Sequence, residues 1–328
     1  MSRVLVTGAG GFLGSALVNN LLEAGYDVRA LIRTGSSSSK CPTRDVIVGD
    51  VRDARCAQTA AAGCDSVIHL AGKAHALDDS RVKEEEYRSV NVDGTRRLLE
   101  GAAAGGVRTF VFASSVKVFG EQTAGCVDEK APAAPRTPYA RSKWEAEQLV
   151  ASYAKEQGLA AVSFRLPLVY GPTHKGNLFR MLSAIDRGWF PPLPRLPAVR
   201  SMLHVANFVS AVRTALNART FLQPAYVVAD AEPYSVSEIY DRLREGLGKP
   251  PPRVRLPLWT LTLGARAGDV LQAFLRTPLP LSSSTLDKMI GEAWYSPAAL
   301  IRDTGYRPLL TFESAVPEII AHYRSALS

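Results

Sequence analysis

Hydrophobic and polar positions change rhythm along this chain in a regular way. Short apolar runs at residues 3–7, 27–32, 46–48, 67–70, 109–113 and 161–165 read as buried strands. Between them, residues 12–24, 53–62, 84–104 and 138–157 read as helices, the longer ones with apolar positions three and four apart. Gly25 stands where the first helix stops, and Pro138 suits the first turn of the last one. Strands that alternate with helices, each strand a short apolar run, predict α/β architecture with a parallel, doubly wound sheet.

After about residue 170 the rhythm changes. Pro191-Pro192-Leu193-Pro194 and Lys249-Pro250-Pro251-Pro252 are loop-forming breaks. A late strand is expected at 226–228 and a helix at 237–246. Residues 256–275 are apolar with an arginine near each end. That pattern suits a helix packed in a small second domain, or one lying on a membrane surface. No internal repeat is evident.

Composition narrows the picture. With 46% hydrophobic residues in 328, the chain can bury a substantial core and is not generally disordered. No run of about 20 apolar residues predicts an integral membrane segment. The chain opens on a strand pattern with no basic, apolar leader, so a cytoplasmic location is expected. Cys41, Cys56, Cys64 and Cys126 lack zinc-like spacing and read as free thiols in a reducing compartment. The net charge is +8, but the arginines are scattered and no aromatic-interleaved basic run appears. A nucleic-acid partner is therefore not expected; a phosphate-bearing small ligand, or simply a basic surface, accounts for the charge.

The first strand runs into Thr7-Gly8-Ala9-Gly10-Gly11-Phe12-Leu13-Gly14 and then into a helix. Gly8, Gly11 and Gly14 let the backbone turn sharply and approach a pyrophosphate, while the helix N-terminus offers NH groups and a favourable dipole. Phe12 and Leu13 complete this dinucleotide loop. The second strand should end near the adenosine ribose. There the sequence is Ala30-Leu31-Ile32-Arg33, with no acid to favour NAD. Arg33 suits a 2′-phosphate and so NADP, with NAD the alternative and a solvated surface arginine the plain reading. Asp50 and Val51 follow the third strand and suit the adenine, or a turn.

Tyr139-Ala140-Arg141-Ser142-Lys143 falls on a predicted helix, so Tyr139 and Lys143 share one face a turn apart. A phenol normally keeps its proton to about pH 10; a neighbouring cation lowers that value and lets it exchange a proton near neutrality. Ser114 and Ser115 follow the fifth strand, at the carboxyl end where a parallel sheet meets its ligand. A serine there can hydrogen-bond the oxygen that Tyr139 serves, or cap the next turn.

The chain resembles, essentially end to end, the extended short-chain dehydrogenase/reductases of the NAD-dependent epimerase/dehydratase group. The resemblance is carried by the glycine loop, His69-Leu70-Ala71-Gly72, Asn91-Val92-Asp93-Gly94-Thr95, Ser114-Ser115-Val116-Lys117-Val118-Phe119-Gly120, the Tyr139 to Lys143 pair, Arg165-Leu166-Pro167-Leu168-Val169-Tyr170-Gly171-Pro172 and Arg200-Ser201-Met202-Leu203-His204-Val205. It implies a Rossmann domain over 1–170 with a return segment 201–230, and a smaller α/β nucleotide-sugar domain from 171–200 and 231–328. It implies Ser115, Tyr139 and Lys143 as the catalytic set, with Tyr139 and Lys143 also on the cofactor, Lys143 holding the nicotinamide ribose. Leu70, Ala71, Gly72 and Pro167 would line the cofactor path. Asn177, Leu178 and Arg200 would meet the substrate diphosphate, with Lys117 also on the substrate side. His75 would touch sugar or nicotinamide, or be a surface residue. Relatives often dimerise through the helices at 84–104 and 138–157, so a homodimer is expected.

Departures from the group narrow the reaction. Its 4,6-dehydratases carry Asp-Glu where this chain has Val116 and Lys117, which argues against dehydration. The stretch from Ser114 to Val118 looks most like the branch serving bacterial surface-polysaccharide synthesis. The expected activity is C4 chemistry on a UDP- or dTDP-hexose. One form is NADPH-dependent reduction of a 4-keto(-6-deoxy) sugar; the alternative is a 4-epimerase with bound NAD. A non-catalytic, cofactor-sensing protein is the remote third reading, disfavoured by the Tyr139–Lys143 pair.

Overall fold

The computed structural model describes residues 2–35, 41–73, 83–174, 176–275 and 282–327. In chain order the first elements are β1 (Arg3–Thr7), α1 (Phe12–Glu23), β2 (Asp27–Ile32), β3 (Asp45–Val48), α2 (Ala54–Ala61) and β4 (Ser66–His69). Then follow α3 (Glu84–Arg88), α4 (Gly94–Ala104), β5 (Thr109–Ser115), α5 (Pro138–Gln157), β6 (Ala160–Leu166) and β7 (Leu168–Tyr170). The chain continues through α6 (Asn177–Asp186), β8 (Val199–Arg200), β9 (Met202–His204), α7 (Val205–Asn217), β10 (Ala225–Val227) and β11 (Tyr234–Ser235). It ends with α8 (Val236–Gly246), α9 (Leu258–Leu275), α10 (Ser283–Ile290), α11 (Ala298–Thr304) and α12 (Phe312–Ser325).

Seven strands form one sheet in the order β10-β6-β5-β4-β1-β2-β3, every pairing parallel. The chain winds outward from β1 to β3, then returns to β4 on the other side of β1. That reversal opens a crevice at the carboxyl ends of β1 and β4, where α/β sheets of this order bind ligands.

Strand alternation sorts the core into two layers. Val4, Val6, Val28, Ile68, Val111 and Phe164 pack beneath Leu17, Leu21, Phe208 and Val212 of α1 and α7. Leu5, Val67, Phe110 and Phe112 pack on the other face against Ala57, Leu98, Ala102, Ala146 and Val150 of α2, α4 and α5. A separate cluster joins Tyr170, Leu182, Met202, Tyr240, Leu243, Phe312 and Ile320. Ala299, Leu300 and Tyr306 lie in the sheet's core, not in that separate cluster. The chain therefore returns to the sheet a second time, beyond the segment 201–230 read from sequence.

The run 84–104 reads as one helix in sequence. It is interrupted by a π-helical turn, Ser89–Asp93. The extra residue shifts the register of α3 against α4. It sets Asn91 into the interior, 1% exposed. Gly94 follows because Val51 occupies the space its side chain would need: a Cβ there would stand 2.8 Å from Val51 Cγ2.

Asp230, just past β10, ties the sheet to the separate cluster. Its buried carboxylate accepts from Tyr170 Oη at 2.7 Å, His204 N at 2.9 Å and Asn207 Nδ2 at 2.7 Å. Burial pushes the Asp230 carboxyl pKa up, and the three donors oppose that. Asn207 in turn donates to Leu310 O and accepts from Leu309 N and Leu310 N, anchoring the approach to α12. Replacing Asp230 by Ala leaves three buried donors unpaired. A loss of about 3–5 kcal/mol is expected by urea unfolding, against about 1 kcal/mol for Tyr170→Phe.

Candidate active site

The glycine loop leaves β1 at the crevice. Gly8 has φ +68°, and a Cβ on it would stand 2.8 Å from Ala71 N. Gly11 caps α1 and its NH donates to Gly8 O at 2.9 Å. A Cβ on Gly14 would stand 2.7 Å from Ala9 Cα, so α1 begins hard against the loop. The loop is a cradle that side chains would fill, with the first turn of α1 presenting its amides; it fits a pyrophosphate. Phe12 and Leu13 are half-buried in that turn, and a Cβ on Gly171 would lie 3.2 Å from the tip of the Phe12 ring.

Arg33 is exposed directly after β2. Asp50 is half-buried and paired with Arg52 at 2.6 Å. That hydrogen bond, more than the weaker pull of Arg33, holds the Asp50 carboxyl below its usual range. Val51 is buried beneath Gly94.

A hydrogen-bonded relay fixes the floor of the crevice. Thr95 Oγ1 donates to Asn91 O at 2.6 Å, so it accepts from His69 Nε2 at 3.0 Å. The proton therefore sits on Nε2, and Nδ1 accepts from Thr7 Oγ1 at 2.8 Å. Thr7 Oγ1 has a lone pair left for Ala71 N at 3.1 Å. This chain joins β1, β4 and α4 and holds the backbone of Ala71 against Gly8. Burial, with Lys143 a lesser cause, pushes the His69 pKa down to about 3.

Tyr139 and Lys143 lie on α5, which Thr137 caps by accepting from Ala140 N at 3.2 Å. The half-buried Tyr139 ring meets the Tyr87 ring edge-on, centroids 5.9 Å apart. Lys143 is 6% exposed. Its Nζ donates to Ala113 O at 2.8 Å and sits 4.7 Å from the Phe112 ring centroid. Burial lowers its pKa to about 8, and the Glu147 charge opposes that fall. Gly72 borders the same space: a Cβ there would be 3.0 Å from Asn91 Oδ1 and 3.3 Å from Lys143 Nζ.

Ser115 is the last residue of β5, buried, and pairs in register with Leu166, the residue before Pro167. Its Oγ accepts from Lys117 N at 3.3 Å, capping a 3-10 turn over Val116–Phe119. The hydroxyl keeps its own proton to donate, so the capping and catalytic readings are compatible. Lys117 reaches Glu121 at 2.7 Å. The 3-10 turn touches the second part of the chain through Phe119, stacked on Tyr295 with centroids 5.9 Å apart.

Arg200 lies near that wall at the end of β8. Its Nη2 donates to Lys288 O and to Gly291 O at 2.9 Å, closing the C-terminus of α10. Burial pushes its pKa down. Asn177 and Leu178 begin α6 and line a shallow cavity with Tyr170, Leu182 and Ile319. Gly8, Ala71, Gly72, Lys143 and Ser115 are thus gathered at the ends of β1, β4 and β5, while Asn177 and Arg200 stand on the second part. His75 lies outside the described residues.

Sequence reasoning missed the groups behind Lys143. Glu147 receives Arg165 through contacts of 2.8 and 3.2 Å and also Ser114 Oγ, all buried. Two signals pointed there: Glu147 is four residues past Lys143 and eight past Tyr139, and Arg165 is a lone charge in an apolar strand. Asn91 was legible as part of a motif, not as a clasp. It accepts from Lys73 N at 2.7 Å and donates to Lys73 O at 3.1 Å and Ser142 Oγ at 2.9 Å, tying the loop after β4 to α5.

A Rossmann sheet with this glycine cradle and a Tyr–Lys pair beside a strand-end serine defines an oxidoreductase-type enzyme of the extended short-chain dehydrogenase/reductase class. Residues 4–229 match the model of the NAD dependent epimerase/dehydratase family. The chain belongs to that family. It is 31% identical to a UDP-glucose 4-epimerase of Vibrio cholerae, over 79% of this chain and 80% of that protein. It is 30% identical to a 3-beta-hydroxysteroid dehydrogenase of Mycolicibacterium neoaurum, over 98% of this chain and 92% of that protein. Among solved structures, the Thermus thermophilus UDP-glucose 4-epimerase in complex with NAD superposes with TM-score 0.74 at 26% identity, covering 99% of each chain.

The two buried histidines make stability fall in acid. His69 titrates near 3 and His204 near 4 in the folded protein, both lowered first by burial. Unfolded histidine titrates near 6.5, so between those values only the unfolded chain takes up the protons. Stability from neutral imidazoles is full above about pH 6.5 and is lost as pH falls. Urea unfolding at stepped pH should show a decline approaching about 1.4 kcal/mol per unit per histidine; a flat profile from pH 6.5 to 4.5 would contradict it.

Proposed function

We propose that this protein reduces the C4 ketone of a nucleoside-diphosphate 4-keto(-6-deoxy) sugar with NADPH, in surface-polysaccharide synthesis. The observation that carries the choice of NADPH is Arg33, exposed at the end of β2 where no acid stands to take a ribose 2′-hydroxyl. Val116 and Lys117, directly after Ser115, stand where elimination needs acids, which supports reduction over dehydration. Arg200, which donates only to backbone carbonyls and has no carboxylate partner among the described residues, favours a charged sugar diphosphate over an apolar sterol. When bound, the cofactor supplies the hydride that reduces C4. Tyr139 then gives its phenolic proton to O4, and solvent restores it. Ser115 Oγ donates a hydrogen bond to the same oxygen. The Lys143 ammonium, one helical turn from the phenol, holds ribose hydroxyls. Homodimerisation through α3, α4 and α5 is part of the same reading.

The second reading is 4-epimerisation, favoured by the relatives that are UDP-glucose 4-epimerases. There Tyr139 takes the O4 proton and later returns it, with no net use of cofactor. The purified protein given a UDP-4-keto-6-deoxy sugar should consume NADPH in step with product. Copurified NAD, together with interconversion of UDP-glucose and UDP-galactose and no net cofactor loss, would establish the epimerase instead.

Two variants probe the residues. Tyr139→Phe should lower kcat by about 10²–10⁴-fold, with a far smaller effect on NADPH affinity. Arg33→Ala should weaken NADPH by roughly tenfold or more while sparing NADH, read by fluorescence titration. Activity of the free enzyme should also fall as pH rises through about 8, where Lys143 loses its proton.

A further inference from the structure

Helix α9 has two apolar faces, and only one of them is used by the fold. Leu261 and Ala265 are buried against Leu193 and Leu286. On the opposite side Trp259 is 64% exposed, Leu263 56% and Val270 73%. Residues advance about 100° around a helix, so Trp259, Leu263, Arg266 and Val270 fall within an arc of about 60°, turned away from Leu261 and Ala265. The outer face of a surface helix is ordinarily polar. Here it is a stripe of large apolar side chains with one arginine inside it. Val254, just upstream, and Trp189, beside Phe190 of the same cluster, are also largely exposed.

Charge selects the partner of the stripe. Arg195, Arg253 and Arg266 are exposed, and among the described residues no carboxylate pairs with any of them. Asp241, the nearby acid, is taken by Arg255 at 2.6 Å, and Asp269 of α9 accepts from Ser283 N at 3.0 Å. A two-fold contact between copies of this face would bury two copies of Arg266 against a stripe that holds no carboxylate. An anionic lipid surface instead meets Arg266 with a phosphate while the apolar stripe enters the acyl boundary; tryptophan is the side chain most suited to that depth. No helix among the described residues is long and apolar enough to cross a membrane.

We propose that the outer face of α9 docks this protein peripherally on anionic membrane. The inference goes beyond the catalytic reading and does not rest on it. Sedimentation with vesicles tests it. The full chain should pellet with phosphatidylcholine vesicles containing phosphatidylglycerol, less with phosphatidylcholine alone, and less again as salt is raised. A Trp259→Ser, Leu263→Ser double variant should bind at least about tenfold more weakly, with melting temperature and turnover of a soluble substrate unchanged. Arg266→Glu should weaken binding to the anionic vesicles alone. A wild-type chain that stays in the supernatant with every vesicle would overturn the proposal. So would a double variant that pellets like wild type, or one that converts a dimer into a monomer by light scattering.

Discussion

A cation is held inside this protein, and much of the site exists to keep it charged. Placing an ammonium away from water costs several kcal/mol unless other groups compensate. Lys143 finds a carbonyl at Ala113, an aromatic face at Phe112 and, a turn further along α5, the charge of Glu147. Glu147 is itself buried and needs Arg165 and Ser114. Ser114 and Arg165 are cross-strand partners on β5 and β6, so sheet register delivers both to one carboxylate. Charges alternate in sign from Lys143 through Glu147 to Arg165, and each depends on the next. The placing of Lys143 beside Tyr139 is therefore set by two strands and a helix, not by α5 alone.

The glycine cradle obeys a different constraint, the closeness of backbones. Gly8 and Ala71 approach so nearly that no Cβ fits between β1 and the exit of β4. The relay from Ala71 N through Thr7, His69 and Thr95 to Asn91 O holds that approach with every donor matched to an acceptor. A charged imidazole would bring a second ring proton where Thr7 already donates. Burial of His69 thus serves geometry: it keeps one tautomer, and with it the spacing of the floor. Asn91 connects this floor to Lys73 and Ser142, next to the Tyr139–Lys143 turn.

The sheet was legible in sequence because its strands are short, apolar on both faces and separated by strongly periodic helices. The strand at 27–32 and the helix at 138–157 have the bounds their patterns predict. The same cannot be said of 84–104, where a π turn leaves the apolar spacing almost intact while changing which side chain points inward. The elements from 168 to 217 were opaque for another reason: β7, β8 and β9 are two or three residues long, too short to show a period. Local motifs carried the proposed catalytic set, Ser115, Tyr139 and Lys143. Glu147 and Asp230 matter through partners 18 and up to 60 residues away, and no local pattern records such distances.

Arg200 shows how one side chain answers to both structure and ligand. Its Nη2 closes the C-terminus of α10, a sound place for a cation because the helix dipole is negative there. Carbonyl dipoles repay only part of the cost of burying a guanidinium, and burial accordingly depresses its pKa. Among the described residues no carboxylate offsets the charge. An arginine anchored by one nitrogen keeps its other donors and its full positive charge for something else. A diphosphate would supply the missing anion without breaking the cap, so the structural contact supports the proposed role: it sets the fork in place before the ligand arrives.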